Sequence, residues 1–276
     1  MKLSLVELSA VVPGSDRSQA LKDSVDAAKQ AEDLGYHRVW YAEHHDAAST
    51  ASSAPEILIA LAASATTRIR VGSGAVLLNH YSPYKVAETF LQLEALAPGR
   101  IDLGLGRATA GPVVDLALRR DRDVPPADDF AEQVQEVLAY FHGHFPANHP
   151  FARLNPAAGV ASRPDVWILA EARRLNWSRT ALMARLAREG TAAQVPTVEE
   201  AERELSQDQK DIPTVITDGR WPRQLAGSPQ TVRDQLEQMT KATGVDEVMV
   251  QDIIAAPAAR AHSRALLAEA LDVAAR

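Results

Sequence analysis

Residues 39–45 read Val-Trp-Tyr-Ala-Glu-His-His, and this stretch decides the fold. Its apolar part is short, aromatic and β-branched, which predicts a buried parallel strand. The strand runs into Glu43, His44 and His45, and in α/β folds the carboxyl ends of strands are where ligands bind. Side chains alternate along a strand, so His44 and His45 cannot both face one cavity. His44 shares a face with Trp40 and is the predicted active-site histidine; the alternative is a pair of surface histidines just past a strand.

Composition narrows the class of protein. The chain has 276 residues, 46% of them hydrophobic, enough for one large α/β domain or two small ones. It contains no apolar run of membrane-spanning length and no signal-peptide pattern, which predicts a cytoplasmic protein. With no cysteine, disulfides, cysteine–zinc sites and thiol nucleophiles are excluded. A net charge of −7 argues against a nucleic-acid-binding surface.

Strand-like and helix-like segments alternate along the chain. The predicted strands are 3–11, 39–42, 70–78, 101–105, 165–169 and 247–254, and the predicted helices are 18–34, 55–65, 84–96, 130–141, 230–243 and 258–275. The first four strands recur with a period of roughly 30 residues, as expected for right-handed parallel strand–helix units. A weak seventh strand candidate is 214–217.

The segment 108–129 breaks this alternation. It contains glycine, several prolines and mixed charge, and no clear helix follows strand 101–105 at once. A loop of this length is typical of a functional-face excursion or a mobile lid. We therefore expect it to line a substrate pocket.

Two motif hypotheses are weak. Residues 104–109, Gly-Leu-Gly-Arg-Ala-Thr, lack the third glycine of a dinucleotide fingerprint, which argues against a Rossmann NAD site. His142, His144 and His149 suggest a metal, but no carboxylate supports them at a defined helix or strand spacing. A solvated loop is the favoured interpretation of these histidines.

Several ordered motifs resemble the bacterial-luciferase-like flavin-dependent monooxygenases. They are Tyr-Ala-Glu-His-His at 41–45, Ser-Ser-Ala-Pro-Glu at 52–56, Ile-Arg-Val-Gly-Ser-Gly-Ala-Val at 69–76, Lys-Val-Ala-Glu at 85–88 and Pro-Gly-Arg-Ile-Asp-Leu-Gly-Leu-Gly-Arg at 98–107. The resemblance is dense over residues 3–107 and returns in 130–143, 165–171 and 227–275. It implies a (β/α)8 TIM-barrel fold that binds reduced FMN at the carboxyl ends of its strands.

The same resemblance implies a seat for the flavin ring. It assigns this role to Ser73, Gly74, Ala75 and Val76, where small residues let a planar ligand approach the backbone. It also implies a non-prolyl cis peptide near Ala75–Val76. The alternative for the glycines of this segment is close strand–helix packing.

Further roles follow from the resemblance. Arg107 corresponds to the flavin phosphate contact, since a guanidinium binds phosphate oxygens bidentately; the alternative is an ion pair with Asp102 or Asp115. His44 corresponds to the active-site base, because imidazole can manage protons near neutral pH. Glu43 is then a structural or flavin-facing neighbour.

The chain departs from the family after strand 165–169. Relatives place small hydroxyl and glycine residues there to hold the phosphate, whereas residues 170–175 here read Ala-Glu-Ala-Arg-Arg-Leu. Glu171 still resembles some members. Arg173 and Arg174 either replace the hydroxyls as phosphate ligands or are solvent-facing charges.

The chain is also short for its fold. We expect one luciferase-like barrel domain over 1–276, shortened at 172–226, with six convincing strands where the complete barrel has eight. Open strand edges are covered in proteins by loops, helices or association. The sequence therefore predicts an incomplete barrel that forms a homodimer.

Two functions remain open on sequence grounds. The first is an FMN-dependent, luciferase-like monooxygenase that takes reduced flavin from a separate flavin reductase and oxidises a small organic molecule with oxygen. The second is a non-catalytic flavin-binding protein, or a partner subunit with a degenerate cofactor site. Residues 43–45 and 104–107 favour FMN over the deazaflavin F420. Neither hypothesis involves nucleic acid, a membrane or a metal.

Overall fold

A computed structural model describes residues 1–108, 110–124, 129–169, 204, 206, 225, 227–252, 254 and 256–273. Over these residues the strands are β1 (Lys2–Glu7), β2 (Arg38–Tyr41), β3 (Arg70–Ser73), β4 (Val76–Leu77), β5 (Ile101–Gly106), β6 (Asp165–Leu169) and β7 (Glu247–Val250). The helices are α1 (Arg17–Asp33), α2 (Pro55–Ala65), α3 (Pro83–Leu96), α4 (Pro112–Leu118), α5 (Phe130–His142), α6 (Pro229–Thr243) and α7 (Pro257–Ala270), with a short 3-10 turn at Leu78–His80. The described residues form two compact units that interleave in sequence.

The first unit comprises Met1–Val39, Ala47–Ala51 and Glu171–Arg276. In it β1 pairs in parallel with β7, with Leu3 opposite Val248. Helix α1 begins where the Asp16 side chain accepts the Gln19 N–H at 2.8 Å, an N-cap that satisfies an otherwise unpaired donor. It ends before Gly35, whose φ of +79° suits glycine.

The second unit comprises Trp40–Asp46 and Ser52–Ala170, with β5 at its centre. Strands β3, β4 and β6 all pair with β5 in parallel. Every residue of β5 is buried, as in a strand covered on both faces. Parallel pairing places the carboxyl ends of these strands at one edge of the sheet, which positions the candidate site.

All six predicted strands are present, but three of them differ from the prediction. Strand β1 ends at Glu7 and not at 11, and β7 ends at Val250 and not at 254. The strand predicted at 70–78 is interrupted between β3 and β4 by a cis peptide bond at Gly74–Ala75. The sequence placed this bond near Ala75–Val76, one peptide too late. The candidate strand at 214–217 and the shortened region 172–226 lie, for the most part, outside the described residues.

The segment 108–129 is not a plain loop, contrary to the prediction. Its described part contains helix α4, and no residue of that helix is buried. The helix has only seven residues, and the glycine, prolines and mixed charge of the surrounding segment favoured a loop, which is why it was missed.

The three histidines considered as metal ligands lie near the end of α5. The His142 and His144 rings stack at 5.5 Å, and His149 stacks on Phe145 at 4.7 Å. Across the part of the chain that the structure describes, no three His, Cys, Asp or Glu side chains are grouped to hold a metal ion. Within that same part, no helix has both the length and the apolar character needed to cross a membrane.

Candidate functional site

The end of β2 is organised around the buried carboxylate of Glu43, whose side chain is fully enclosed. Oε2 accepts the backbone N–H of Leu77 at 3.0 Å, and Oε1 accepts the hydroxyl of Tyr81 at 2.8 Å. Oε1 also lies 2.7 Å from Nε2 of His45. Both oxygens are therefore engaged by protein groups, and Glu43 ties the end of β2 to β4 and the turn after it.

The charge of Glu43 affects its neighbours. Burial raises the pKa of Tyr81, and the charge and hydrogen bond of Glu43 raise it further, so the phenol stays protonated as a donor. Burial also raises the pKa of Glu56, at the start of α2, and the Glu43 charge adds to this effect. Interaction with its own backbone and with His45 opposes the increase.

His44 and His45 have different surroundings. His44 is half-buried, and its backbone N–H donates to the Ser52 carbonyl at 2.9 Å, which fixes the chain at the end of β2. His45 forms the carboxylate–histidine pair with Glu43, and its side chain is 13% exposed. The sequence reasoning missed this pair. The signal was present, because residues two apart in an extended chain share a face.

The predicted flavin seat has its side chains tied into the sheet. Ser73 Oγ donates to the Gly104 carbonyl at 2.9 Å and accepts the Gly104 N–H at 3.0 Å. The Gly74 N–H donates to the Tyr41 carbonyl at 2.8 Å. Ser73, Ala75 and Val76 are buried and Gly74 is partly exposed, so Gly74 presents the accessible surface of the segment.

The glycines of β3 and its end are required by packing. A Cβ on Gly72 would lie 2.5 Å from the Asp102 carbonyl oxygen, and one on Gly74 would lie 3.1 Å from the Trp40 side chain. The Trp40 indole N–H donates to Asp102 Oδ2 at 2.9 Å, and its ring meets Trp167 edge-on at 5.5 Å. The neighbours that restrict both glycines lie on strands, Asp102 in β5 and Trp40 in β2, so the packing differs from the strand–helix packing that the sequence left as an alternative.

Arg107 follows directly after β5 and is exposed at its carboxyl end. The two carboxylates considered as its ion-pair partners have other contacts. Asp102 binds Arg70 at 2.5 Å, and Asp115 accepts the Ala110 N–H at 2.8 Å. The other predicted phosphate-binding residues, Glu171 and Arg173, lie outside the described residues, as does Arg174.

A second acid–histidine pair lies beside the first. Nε2 of His80 is 3.5 Å from Oδ1 of Asp115, and these side chains are 4% and 14% exposed. The His80 ring meets the His45 ring nearly at right angles, with 6.5 Å between centroids. No spacing rule joins residues this far apart, and Asp115 lies in the helix that the sequence did not predict.

Comparison with known proteins supplies a family context. A family model described as luciferase-like monooxygenase matches residues 1–212. The N-acetyl-S-alkylcysteine monooxygenase of Bacillus subtilis (strain 168) is 40% identical over 169 residues, which are 61% of this chain and 51% of that protein. The chain spans about half the length of the curated relatives it matches.

Solved structures extend the similarity to the whole chain. The crystal structure of apo-MsnO8 is 32% identical, with a TM-score of 0.84, over 100% of this chain and 99% of that chain. Two distant structures share the fold alone. The oxygenating constituent of 3,6-diketocamphane monooxygenase from Pseudomonas putida, in complex with FMN, has a TM-score of 0.64 at 16% identity over 98% of both chains. An F420-dependent secondary alcohol dehydrogenase has a TM-score of 0.57 at 15% identity, over 100% of this chain and 99% of that chain.

Proposed function

The chain belongs to the luciferase-like monooxygenase family, and from that premise we propose that it is an FMN-dependent monooxygenase. It would use reduced flavin and oxygen to oxidise a small organic substrate, with the flavin reduced by a separate reductase. The observation that carries the proposal is that one compact unit contains both a half-buried histidine after β2, His44, and an exposed arginine after β5, Arg107. Ligands of parallel α/β folds bind at these strand ends.

The residues present suit a flavin mononucleotide. Arg107 offers the planar, permanently charged donor that binds a phosphate bidentately. Gly74 leaves backbone uncovered at the break between β3 and β4, where a flat ring needs a surface without side chains. When bound, reduced FMN supplies the electrons that activate oxygen.

The chain's own residues perform the remaining tasks. His44 is the proposed group that accepts and returns a proton at an imidazole nitrogen, a role that suits a side chain titrating near neutral pH. Its backbone anchor on Ser52 limits where the ring can stand. Glu43 keeps the ends of β2 and β4 together and thereby holds His44 and Gly74 in a fixed relation.

The cofactor is proposed as FMN rather than F420. The motifs at 43–45 and 104–107 support FMN, and a solved FMN complex with this fold supports it as well. The F420-dependent enzyme with the same fold makes F420 the competing cofactor. Titration of the protein with each reduced cofactor separates the two.

The second candidate function is non-catalytic flavin binding, including the role of a partner subunit. It is favoured by residues 170–175, which lack the small hydroxyls that relatives carry after this strand. A binding protein would retain flavin affinity and show no oxidation of any substrate. His44 separates the two functions, because simple binding needs no base at that position.

The proposal is tested by anaerobic titration with reduced FMN of the native protein and of Arg107→Ala and His44→Asn. We expect Arg107→Ala to weaken binding by ten-fold or more, about 1.4 kcal/mol, and His44→Asn to bind nearly as well as the native chain. With a reductase, oxygen and a panel of small organic substrates, His44→Asn should lose turnover. Absence of binding by the native protein at millimolar reduced FMN would overturn the proposal.

A further inference from the structure

Helix α4 has no fully buried residue to hold it in place. None of its residues is buried, and Val113 and Leu116 point apolar side chains into solvent at 79% and 43% exposure. Most helices of globular proteins are stabilised by packing an apolar face. Seven residues are too few for a helix to be stable alone. The position of α4 must therefore depend on other contacts.

Val114 and Leu118 of α4 are half-buried, and the hydrogen bonds and ion pair of this segment converge on one turn. Asp115 of α4 reaches Nε2 of His80 at 3.5 Å and closes its own helix entry by accepting the Ala110 N–H. Asn79 Nδ2 donates to the Ala108 carbonyl at 3.2 Å and lies 3.3 Å from His80 Nε2. Asn79, His80 and Asp115 form what we call the polar clasp.

The clasp lies against the candidate site. His80 packs its ring edge against His45, which is paired with the buried carboxylate of Glu43. A helix fastened to His80 therefore stands beside the strand ends where His44 and Gly74 are located. Moving α4 away would open that edge of the site and would expose no fully buried residue of α4, only the half-buried Val114 and Leu118.

We propose that α4 with its entry at residues 110–111 is a lid, and that the His80–Asp115 contact is the latch that holds it shut. Asn79 is a second, weaker tether on the same turn. Gly111, with a φ of +101°, lies at the start of α4 and provides a hinge conformation that other residues rarely adopt. The inference does not depend on the identity of the cofactor.

The absence of cysteine makes a direct test possible. Val113→Cys on the exposed face of α4 and Gln92→Cys on the exposed face of α3 place two spin labels in one compact unit. Pulsed electron paramagnetic resonance then measures the label-to-label distance in the full chain without added ligand. We expect a single narrow distribution when the latch is intact.

Latch variants are made in this doubly labelled chain. Asp115→Asn and His80→Gln should each broaden or lengthen the distribution, and the double variant should do no more than either alone, because both remove one contact. Asp121→Asn is the matched control, since Asp121 lies just beyond α4 and accepts the Asp123 N–H instead. Circular dichroism and melting of each variant establish that it is folded.

The outcomes are distinct. Unchanged distributions in both latch variants would overturn the proposal, and so would equal broadening in Asp121→Asn. If Asp115→Asn fails to fold, His80→Gln tests the same contact from its other side. Failure of the protein to bind reduced flavin would leave these distances unaffected, so the lid and the proposed function can fail separately.

Discussion

Glu43 accepts the backbone N–H of Leu77 across 34 residues of sequence, with 3.0 Å between Oε2 and the nitrogen. The bond joins the carboxyl end of β2 to β4, the strand that follows the Gly74–Ala75 break. A backbone donor at a broken strand needs an acceptor, because an unpaired buried N–H is costly. Glu43 thus has a structural task independent of any cofactor.

Replacing Glu43 should therefore reduce stability. Glu43→Ala leaves the Leu77 N–H and the Tyr81 hydroxyl without their acceptor, at about 1–3 kcal/mol for the buried N–H and less for the half-buried hydroxyl. Glu43→Gln keeps an acceptor oxygen and should cost less. Urea denaturation measures both, with Glu132→Ala on the exposed face of α5 as the control. Equal stability of Glu43→Ala and the native chain would show that the buried network adds nothing.

Gly72 should be the least replaceable glycine of the sheet. An added Cβ would lie 2.5 Å from the Asp102 carbonyl oxygen and 2.6 Å from the Asp102 Cβ. The neighbouring strands would have to move apart to make room for it. Overpacking of this kind costs roughly 1–3 kcal/mol or more. Gly159→Ala is the control, because an added Cβ there has space and only the backbone φ of +75° disfavours alanine. This variant should lose about 1 kcal/mol of folding stability. Thermal melting of both variants checks the order, which the reverse ranking would contradict.

The sequence predicted the fold correctly where burial is continuous. Strand β5 is buried at every position, and the sequence predicted it at 101–105. Helices α3 and α5 appear within one residue of the predicted bounds, because proline, glycine and apolar spacing mark them. The luciferase-like fold class is confirmed by the full-length structural match.

The sequence predicted fewer of the contacts in the site, because these contacts join residues far apart along the chain. Strand alternation could have paired Glu43 with His45, but nothing local connects Glu43 to Leu77 or His80 to Asp115. The sequence assigned Gly74 to the flavin seat but gave no sign that the Trp40 side chain lies beside it, or that Asp102 lies beside Gly72. Such partners become visible only when strands are placed side by side.

We propose helix α2 as the surface through which the expected homodimer would form. Ile57 and Leu61 are 60% and 52% exposed and stand one turn apart on the same face. Exposed apolar residues grouped in this way are typical of association surfaces. Leu61→Glu should shift the protein towards monomer in light scattering coupled to size exclusion. Leu154→Glu, at a 42% exposed leucine outside the helices, is the control; equal dimer content in both variants would remove α2 from the interface.

Glu247 should make the first unit sensitive to acid. Burial alone would raise its pKa. Hydrogen bonds from Arg38 and Ser4 and the charges of Arg38 and His37 together outweigh burial, so the pKa of Glu247 lies below the ordinary value for glutamate. A carboxyl with a lower pKa in the folded chain stabilises the protein above its unfolded pKa. That stabilisation is lost as pH falls through the folded value. Glu7 acts in the opposite sense, because burial raises its pKa despite the opposing charge of Arg264.

Comparison with Glu247→Gln isolates the acid effect, because Glu7 is present in both proteins. At pH 7 the variant should unfold about 1–3 kcal/mol more easily, the range for hydrogen bonds to charged groups. The gap should narrow as pH falls from 5 through the ordinary pKa of glutamate, about 4.3, and should close as the native carboxyl also becomes neutral. Asp246→Asn is the control, since Asp246 is 86% exposed and pairs with Lys2 at 3.8 Å; it should change stability by less than about 1 kcal/mol. A gap that stays constant over this range would mean that Glu247 acts through its shape and not through its charge.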